Sequence, residues 1–462
     1  MSPKLTSSRP TARELALQVL ATAQERERHV EDLLAEVLKK HPDLPRTERA
    51  FLLELVQGVK RWELRLDYLL SRLSHLPWRK VHPLVKQTLR LAAYQLLFLN
   101  RIPAHAAVDE AVNLARSRRL PASHVGFINA ILRRLAGGEV PPLPRLEDGI
   151  VAALAVGCAH PDWLVARWLT RYGLEETQAR LTADNQVPPL TVRVNTLKTD
   201  TGSLIKRLER EGVTAVPLTF SPVGLLLQDF DRPPATLPSY REGLWLFQDE
   251  AAQLATCLLS AVPDQKILEI GAGRGGKTSH LAEKLNNQGV LPAVDNHRQR
   301  LMNLRQNLQR WGVTCAQPIR ADAADNLPIK TGSLDAVLLD APCSALGIIR
   351  RHPEIKTRLR EADLATFPPR QRQMLETAAP LLKPGGRLLY ITCTTEPAEN
   401  EDLLNGFLAD HGEYLLASEP DLLPPPARQF LQPPGFFRTT PAHHNLDGFF
   451  AALLTRQEGR KQ

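Results

Sequence analysis

Residues 266–278 read Lys266-Ile-Leu-Glu269-Ile270-Gly271-Ala272-Gly273-Arg274-Gly275-Gly276-Lys277-Thr278. A short apolar run, a glycine-rich turn and a helix-forming stretch make the strand–turn–helix unit of an open α/β sheet. Glycines in such a turn let backbone amides approach a ligand closely, and the following helix N-terminus accepts an anionic group such as a carboxylate. Three ligand classes compete for a turn of this kind: a dinucleotide, a nucleotide phosphate and S-adenosylmethionine. The P-loop pattern fails: Gly271 and Gly276 are separated by four residues and followed by Lys277-Thr278, but the next strand lacks a clean magnesium-binding environment, although spacing alone leaves the choice open.

The neighbouring segments narrow it. From Gln265 onward, β-branched or Leu-rich runs (266–270, 290–294, 316–320, 336–339, 387–392 and 449–454) alternate with helical segments in the pattern of a doubly wound parallel sheet, whose ligands sit at the carboxyl ends of the strands. The second run ends in Asp295, where an acid can accept hydrogen bonds from ribose hydroxyls. The third is trailed by Asp322, suited to an adenine edge. A lone Asp at a strand end is usually a helix cap, but Glu269, the glycine turn, Asp295 and Asp322 in succession describe a nucleoside site. Leu339-Asp340-Ala341-Pro342-Cys343-Ser344 follows the fourth run, and Thr392-Cys393-Thr394 follows the fifth. Either cysteine alone is more often a small buried hydrophobe than a nucleophile. Two at equivalent strand ends, with Pro342 stiffening one turn, point to chemistry.

The 462-residue chain is 43% hydrophobic and 23% charged, the composition of a soluble globular protein long enough for more than one domain. Thr11-Ala-Arg-Glu14 is a capping-box pattern, and from there to about residue 137 apolar residues recur at helical spacing between Pro77, Pro83, Pro103 and Pro121, which reads as an all-α bundle. Gly137-Gly138 and Pro141-Pro142-Leu143-Pro144 resemble a linker. A small α+β insert follows, with strand-like runs at 190–195, 213–218 and 224–227 and a helix capped by Asp200. Residues 1–140 hold 23 Lys and Arg against 14 Asp and Glu, a net charge of +9, whereas the remainder is nearly neutral. A basic module joined to a neutral one suggests a polyanion-docking part and a catalytic part. The five scattered cysteines form neither a disulfide framework nor CxxC metal spacing, so reduced thiols and no metal site are expected. The polar start lacks the apolar core of a secretory signal, and no apolar run is long enough to span a membrane; a cytoplasmic protein with no membrane partner is expected.

On these residues the sequence resembles the RNA cytosine-5 methyltransferase family, more narrowly the bacterial 16S ribosomal RNA methyltransferases of the RsmB (Sun/Fmu) type. The family's Asp-Ala-Pro-Cys is Asp340 to Cys343, its Thr-Cys is Thr392-Cys393 and its Gly-Gly-Lys-Thr is Gly275 to Thr278. Further matches are Arg193-Val-Asn195, Gln248-Asp249-Glu250-Ala251, Arg350 to Lys356, Glu399-Asn400-Glu401 and Asp447-Gly448-Phe449-Phe450, with His160-Pro161-Asp162-Trp163 at the entry to the middle region. Phe127 to Arg133 lies in a helical N-terminus similar to NusB-type RNA-binding domains. Two departures stand out. Gly271-Ala272-Gly273-Arg274 replaces the family's Cys-Ala-Ala-Pro, and Ala345 stands where a glycine usually follows Cys-Ser.

The resemblance implies a Rossmann-like class I methyltransferase domain at 246–462, preceded by a NusB-like helical RNA-binding domain at 1–140 and a linker with a small α+β RNA-binding region at 141–245. It implies S-adenosyl-L-methionine as cofactor, held by Gly271, Ala272, Gly273, Arg274, Gly275, Gly276, Lys277, Asp295, Asp322 and Asp340. It assigns Cys393 as the nucleophile toward C6 of a cytosine, Cys343 to release of the covalent intermediate, and Asp340 to a hydrogen bond with the base, with Lys277 a positive charge beside the thiols. The implied partner is RNA, 16S rRNA before full subunit assembly, and the absence of a coiled-coil repeat suggests a monomer. Competing readings are a noncatalytic NusB-like RNA-binding ribosome-assembly factor and a methyltransferase acting on tRNA.

Overall fold

The computed structural model describes residues 9–25, 28–230, 232–325 and 327–458. The start of the chain read above against a secretory signal lies, up to residue 8, outside the described residues. By their contacts the described residues form two compact units: one runs up to Asn185 and includes His352–Arg358, and the other comprises Gln186–Arg351 with the chain from Leu359 onward. The boundary at Asn185 falls inside the 141–245 segment that the sequence sets apart.

The first unit is helical. α1 (Ala12–Glu25) begins with the expected capping box, Thr11 N donating to Glu14 Oε2 at 2.8 Å and Glu14 N donating to Thr11 Oγ1 at 3.2 Å. α2 (Val30–Lys40), α3 (Arg46–Leu73), α4 (Pro83–Phe98), α5 (Ala104–Ser117) and α6 (Ala122–Ala136) follow, with Pro83 at the first helical position and Pro45, Pro103 and Pro121 immediately before their helices. Their apolar stripes, among them Leu52, Val59, Leu66, Leu89, Ile128 and Leu132, meet in one buried core. α7 (Ile150–Gly157) and α8 (Asp162–Ala183) follow, and the unit also takes in the short helix Ile355–Arg358.

The second unit holds two sheets. β1 (Thr191–Val194), β2 (Thr214–Pro217), β3 (Gly224–Gln228) and β4 (Trp245–Phe247) form a small antiparallel sheet of order β2-β3-β1-β4, packed on α9 (Thr201–Arg210), which Asp200 caps through Ser203 N at 2.9 Å. The larger sheet contains β5 (Ile267–Ile270), β6 (Leu291–Asp295), β7 (Ala316–Arg320), β8 (Leu334–Asp340) and β9 (Leu382–Thr392), all parallel, in the order β7-β6-β5-β8-β9. β13 (Phe450–Arg456) runs antiparallel beside β9, and three short strands flank it: β10 (Tyr414–Leu416), β11 (Leu431–Gln432) and β12 (Phe436–Arg438). Apolar clusters cover both faces, which is why β5 reads as a continuous apolar run broken only by Glu269.

Two features differ from the sequence reading. β10, β11 and β12 are too short to carry an alternating pattern. β9 starts at Leu382, across Pro384-Gly385-Gly386, because Leu382 pairs with Leu334 and a register shift between Leu334 and Ala336 absorbs the turn-like residues. The strand order reverses between β5 and β8, so the crevice outside their carboxyl ends is where a ligand of this fold binds.

Candidate active site

β5 delivers the glycine turn. Gly271 has φ +82°, and a Cβ there would lie 2.3 Å from the Asp340 carbonyl oxygen, so only glycine lets β5 and β8 converge at this point. The turn leads into the helix Gly276–Lys284, anchored from below by the buried Arg193. Its guanidinium donates to Gly276 O at 2.8 Å, Ser279 Oγ at 2.7 Å and Glu283 Oε1 at 2.7 Å, and also bonds Gln248. The Arg193-Val-Asn195 and Gln248 motifs thus brace the turn.

The acids predicted to follow the strands take distinct places. Asp295, at the end of β6, is buried and accepts from Gly273 N at 3.0 Å and His297 N at 2.7 Å, which fixes the turn and orients the carboxylate. Asp322 is only partly buried, and both its oxygens accept from Arg370 Nη2, at 2.9 and 2.8 Å; the sequence reading did not find this partner. A backbone bond from Ala324 and the Arg370 bond hold the Asp322 carboxyl below the usual range.

Glu269 is buried at the end of β5, its Oε2 has no hydrogen-bond partner, and burial pushes its carboxyl up to about 7 against the pull of Thr278 and Lys277. An orphaned carboxylate oxygen beside a glycine cradle and a helix N-terminus suits the two ends of an amino acid, an ammonium for the acid and a carboxylate for the amides. The residues present therefore fit the methionine part of S-adenosylmethionine.

The cysteines meet. Asp340 pairs with Ile391 across β8 and β9, and Ala341 N donates to Ile391 O at 2.9 Å, so the loops leave the sheet side by side. Cys343 Sγ and Cys393 Sγ lie 3.4 Å apart, both half-buried and reduced. The hydrogen bond to Cys393, burial, and the negative charges of Cys393 and Glu399 push the Cys343 thiol far up, so Cys343 keeps its proton. Lys277 donates to Asp340 Oδ2 at 2.7 Å; burial opposes its charge, but Asp340, Cys393 and Glu269 together hold it above its ordinary value. Lys277 is thus a retained cation whose charge favours a thiolate at Cys393. Ala345 takes φ +59°, the left-handed conformation that explains the glycine usual there; its methyl group costs about 1 kcal/mol of strain.

Comparison with known proteins agrees with this arrangement. Residues 256–455 match the model of the 16S rRNA methyltransferase RsmB/F family, residues 160–231 its ferredoxin-like domain, and residues 10–137 the NusB family. A probable ribosomal RNA small subunit methyltransferase B of Synechocystis is 35% identical over 96% of this chain and 99% of its own length. The ribosomal RNA small subunit methyltransferase B of Pseudomonas syringae is 36% identical over 88% of this chain and 89% of its own. This chain belongs to the ribosomal RNA small subunit methyltransferase B family. Among solved structures, that of PH0851 superposes with a TM-score of 0.82 at 28% identity, covering 98% of this chain and 99% of that one. A methyltransferase homologue from Pyrococcus horikoshii superposes with a TM-score of 0.57 at 26% identity, over 67% of this chain and 99% of that one. As a member of this family the chain is an enzyme, a methyltransferase dependent on S-adenosylmethionine, with a NusB-like helical N-terminus. No group of three or more metal-ligating side chains occurs among the described residues. No single helix there is long and apolar enough to cross a membrane.

The residue reading missed Glu399, Ser344, Thr394 and Gln371, which bond one another. Glu399, Ser344 and Thr394 could be flagged only by their place in matched motifs or beside the cysteines, and Gln371 by no signal in the sequence.

Proposed function

We propose that this enzyme methylates C5 of a cytosine in small-subunit ribosomal RNA through a covalent bond between Cys393 Sγ and C6 of the base. The observation that carries the reading is the pair of thiols 3.4 Å apart at adjacent strand ends, one keeping its proton and the other favoured as a thiolate by the Lys277 charge. Relatives named as ribosomal RNA small subunit methyltransferases support the substrate class. We assign cofactor binding to residues 271–277 with Asp295, Asp322 and Asp340, and RNA docking to the basic segment 1–140 and the small sheet region. The enzyme acts as a cytoplasmic monomer on 16S rRNA before the subunit is complete.

Cytosine C5 is a poor nucleophile until a thiolate adds to C6. Cys393 Sγ, as a thiolate, forms that bond, and the electron pair of C5=C6 moves onto N3, which takes up a solvent proton that the Asp340 carboxylate relays and later takes back. S-adenosylmethionine, when bound, supplies an electrophilic methyl group on a sulfonium, which C5 takes as the methyl–sulfur bond breaks. Once Cys393 is bonded to carbon, its hydrogen bond and its charge no longer push the Cys343 thiol up, and only burial and Glu399 still do. Cys343 can then give up its proton to solvent and accept the one on C5; the pair left behind restores C5=C6 and expels the Cys393 thiolate. The base must be unpaired or flipped to reach the loops.

With labelled cofactor and small-subunit rRNA, Cys393→Ser abolishes both methylation and any covalent adduct, whereas Cys343→Ala still attacks and methylates but accumulates a denaturation-resistant band carrying labelled methyl. A band trapped by Cys393→Ser and absent with Cys343→Ala exchanges the two roles. Full turnover in both variants refutes covalent catalysis, and no transfer to any RNA leaves the noncatalytic assembly factor. Transfer confined to tRNA replaces the substrate.

A further inference from the structure

The motif Glu399-Asn400-Glu401 supplies no reacting atom to the reaction just described, yet its first two residues bond the neighbours of both cysteines. Glu399 and Asn400 are both buried. Ser344, next to Cys343, donates to Glu399 through its backbone N to Oε2 at 2.9 Å and through its hydroxyl to Oε1 at 2.5 Å. The Ser344 hydroxyl lies 2.6 Å from Thr394 Oγ1, next to Cys393. Asn400 holds Cys393 from both sides: Thr392 Oγ1 donates to its Oδ1 at 2.6 Å, and its Nδ2 donates to Thr394 O at 3.0 Å. Gln371 Nε2 donates to both Glu399 Oε2 and Pro342 O, at 2.9 Å each. The motif therefore bonds the residue on each side of Cys393, the residue after Cys343 and, through Gln371, the residue before it.

We propose that Glu399 and Asn400 are positioning residues for the two cysteines, a buried carboxylate and amide that lock the loops after β8 and β9 into one register and so hold the sulfurs at reacting distance. A carboxylate suits the place because the groups converging on it, Ser344 N, Ser344 Oγ and Gln371 Nε2, all donate, and charge-assisted bonds are the strong ones. Those partners are neutral, so hydrogen bonds alone oppose the burial that, together with the Glu396 charge, pushes the Glu399 carboxyl up. One group it acts on is Cys343, where it disfavours a second negative charge and helps keep the proton in place. The inference rests on the covalent reading above for its catalytic consequence, but the clamp itself is a statement about geometry.

The test uses two readouts on the full-length enzyme. The first is kcat and the cofactor KM for methyl transfer. The second is the rate at which diamide, a two-electron oxidant, joins Cys343 and Cys393 in a disulfide with loss of two thiol protons, mapped by mass spectrometry without RNA or cofactor. Glu399→Ala lowers kcat by about 10- to 100-fold, the scale for misplaced reacting groups, and slows the disulfide, while the cofactor KM stays within about threefold. Thr394→Val is nearly isosteric and does the same to a lesser degree, so the proposal can still be refuted if Glu399→Ala does not fold. Glu399→Gln, which can accept from Ser344 N and donate to Ser344 Oγ, recovers the disulfide rate but moves its alkaline rise to lower pH. Unchanged disulfide rates and kcat in both Glu399→Ala and Thr394→Val overturn the clamp. A slowed disulfide in an enzyme whose Cys343 and Cys393 variants turn over fully would retain the clamp and reject the covalent reading.

Discussion

At the scale of the residue, the site is set by acids whose surroundings differ. Asp295, at the end of β6, has its oxygens bonded to two backbone amides and keeps capacity to accept. Asp295→Ala should weaken S-adenosylmethionine by about 1–3 kcal/mol in calorimetry, the cost of leaving donors unmet; unchanged affinity removes Asp295 from the site. Glu269 makes a pH-dependent prediction. Its carboxyl rises from 4.5 to about 7 on folding, so between those values the folded protein holds a proton that the unfolded chain gives up. Stability therefore falls as pH rises through that window, by at most about 3 kcal/mol, and the contribution is intact only below the unfolded value. Denaturant unfolding of the cofactor-free protein at pH 5 and pH 7.5 should show a smaller fall for Glu269→Gln than for wild type. Equal falls would mean that this carboxyl is solvated.

At the scale of the element, close approach decides what the chain tolerates. Gly58 in α3 lies against Tyr94 of α4, and a Cβ there would be 2.0 Å from the tyrosine Cζ. Gly58→Ala must push α3 and α4 apart or turn the ring, so urea denaturation should report a loss of about 1–3 kcal/mol despite the better helix propensity of alanine. A gain in stability would show that Tyr94 moves freely. The helices were legible because their apolar residues keep a 3.6-residue period between prolines and caps. β10, β11 and β12 were not, because two or three residues carry no period; what makes them strands is pairing with β13 and with one another.

At the scale of the whole molecule, charge is divided unequally along the chain, with the basic surplus in residues 1–140. Arg116 and Arg133 line a cavity of about 780 Å³ bounded by α5 and α6. Replacing Arg116, Arg119 and Arg133 with Gln should weaken RNA binding and reduce its dependence on log salt by about 0.7 for each lost contact with single-stranded RNA. An identical salt slope would identify these arginines as a solvated face.

The sequence by itself determined the class of the protein: the alternation of strands and helices, the glycine turn after β5, the acids at strand ends and both cysteine motifs are local patterns, and local sterics and periodicity suffice to read them. Ala345 stands out only against the glycine of the family it resembles, and its positive φ is set by the folded loop. What only the tertiary structure decided is which of these groups touch. Arg370 reaches Asp322 from 48 residues away, Arg193 braces the glycine turn from 83, and Glu399 meets Ser344 across 55. Such partners share no period or spacing with the residues they serve, because strand order and register bring them together after the chain has folded.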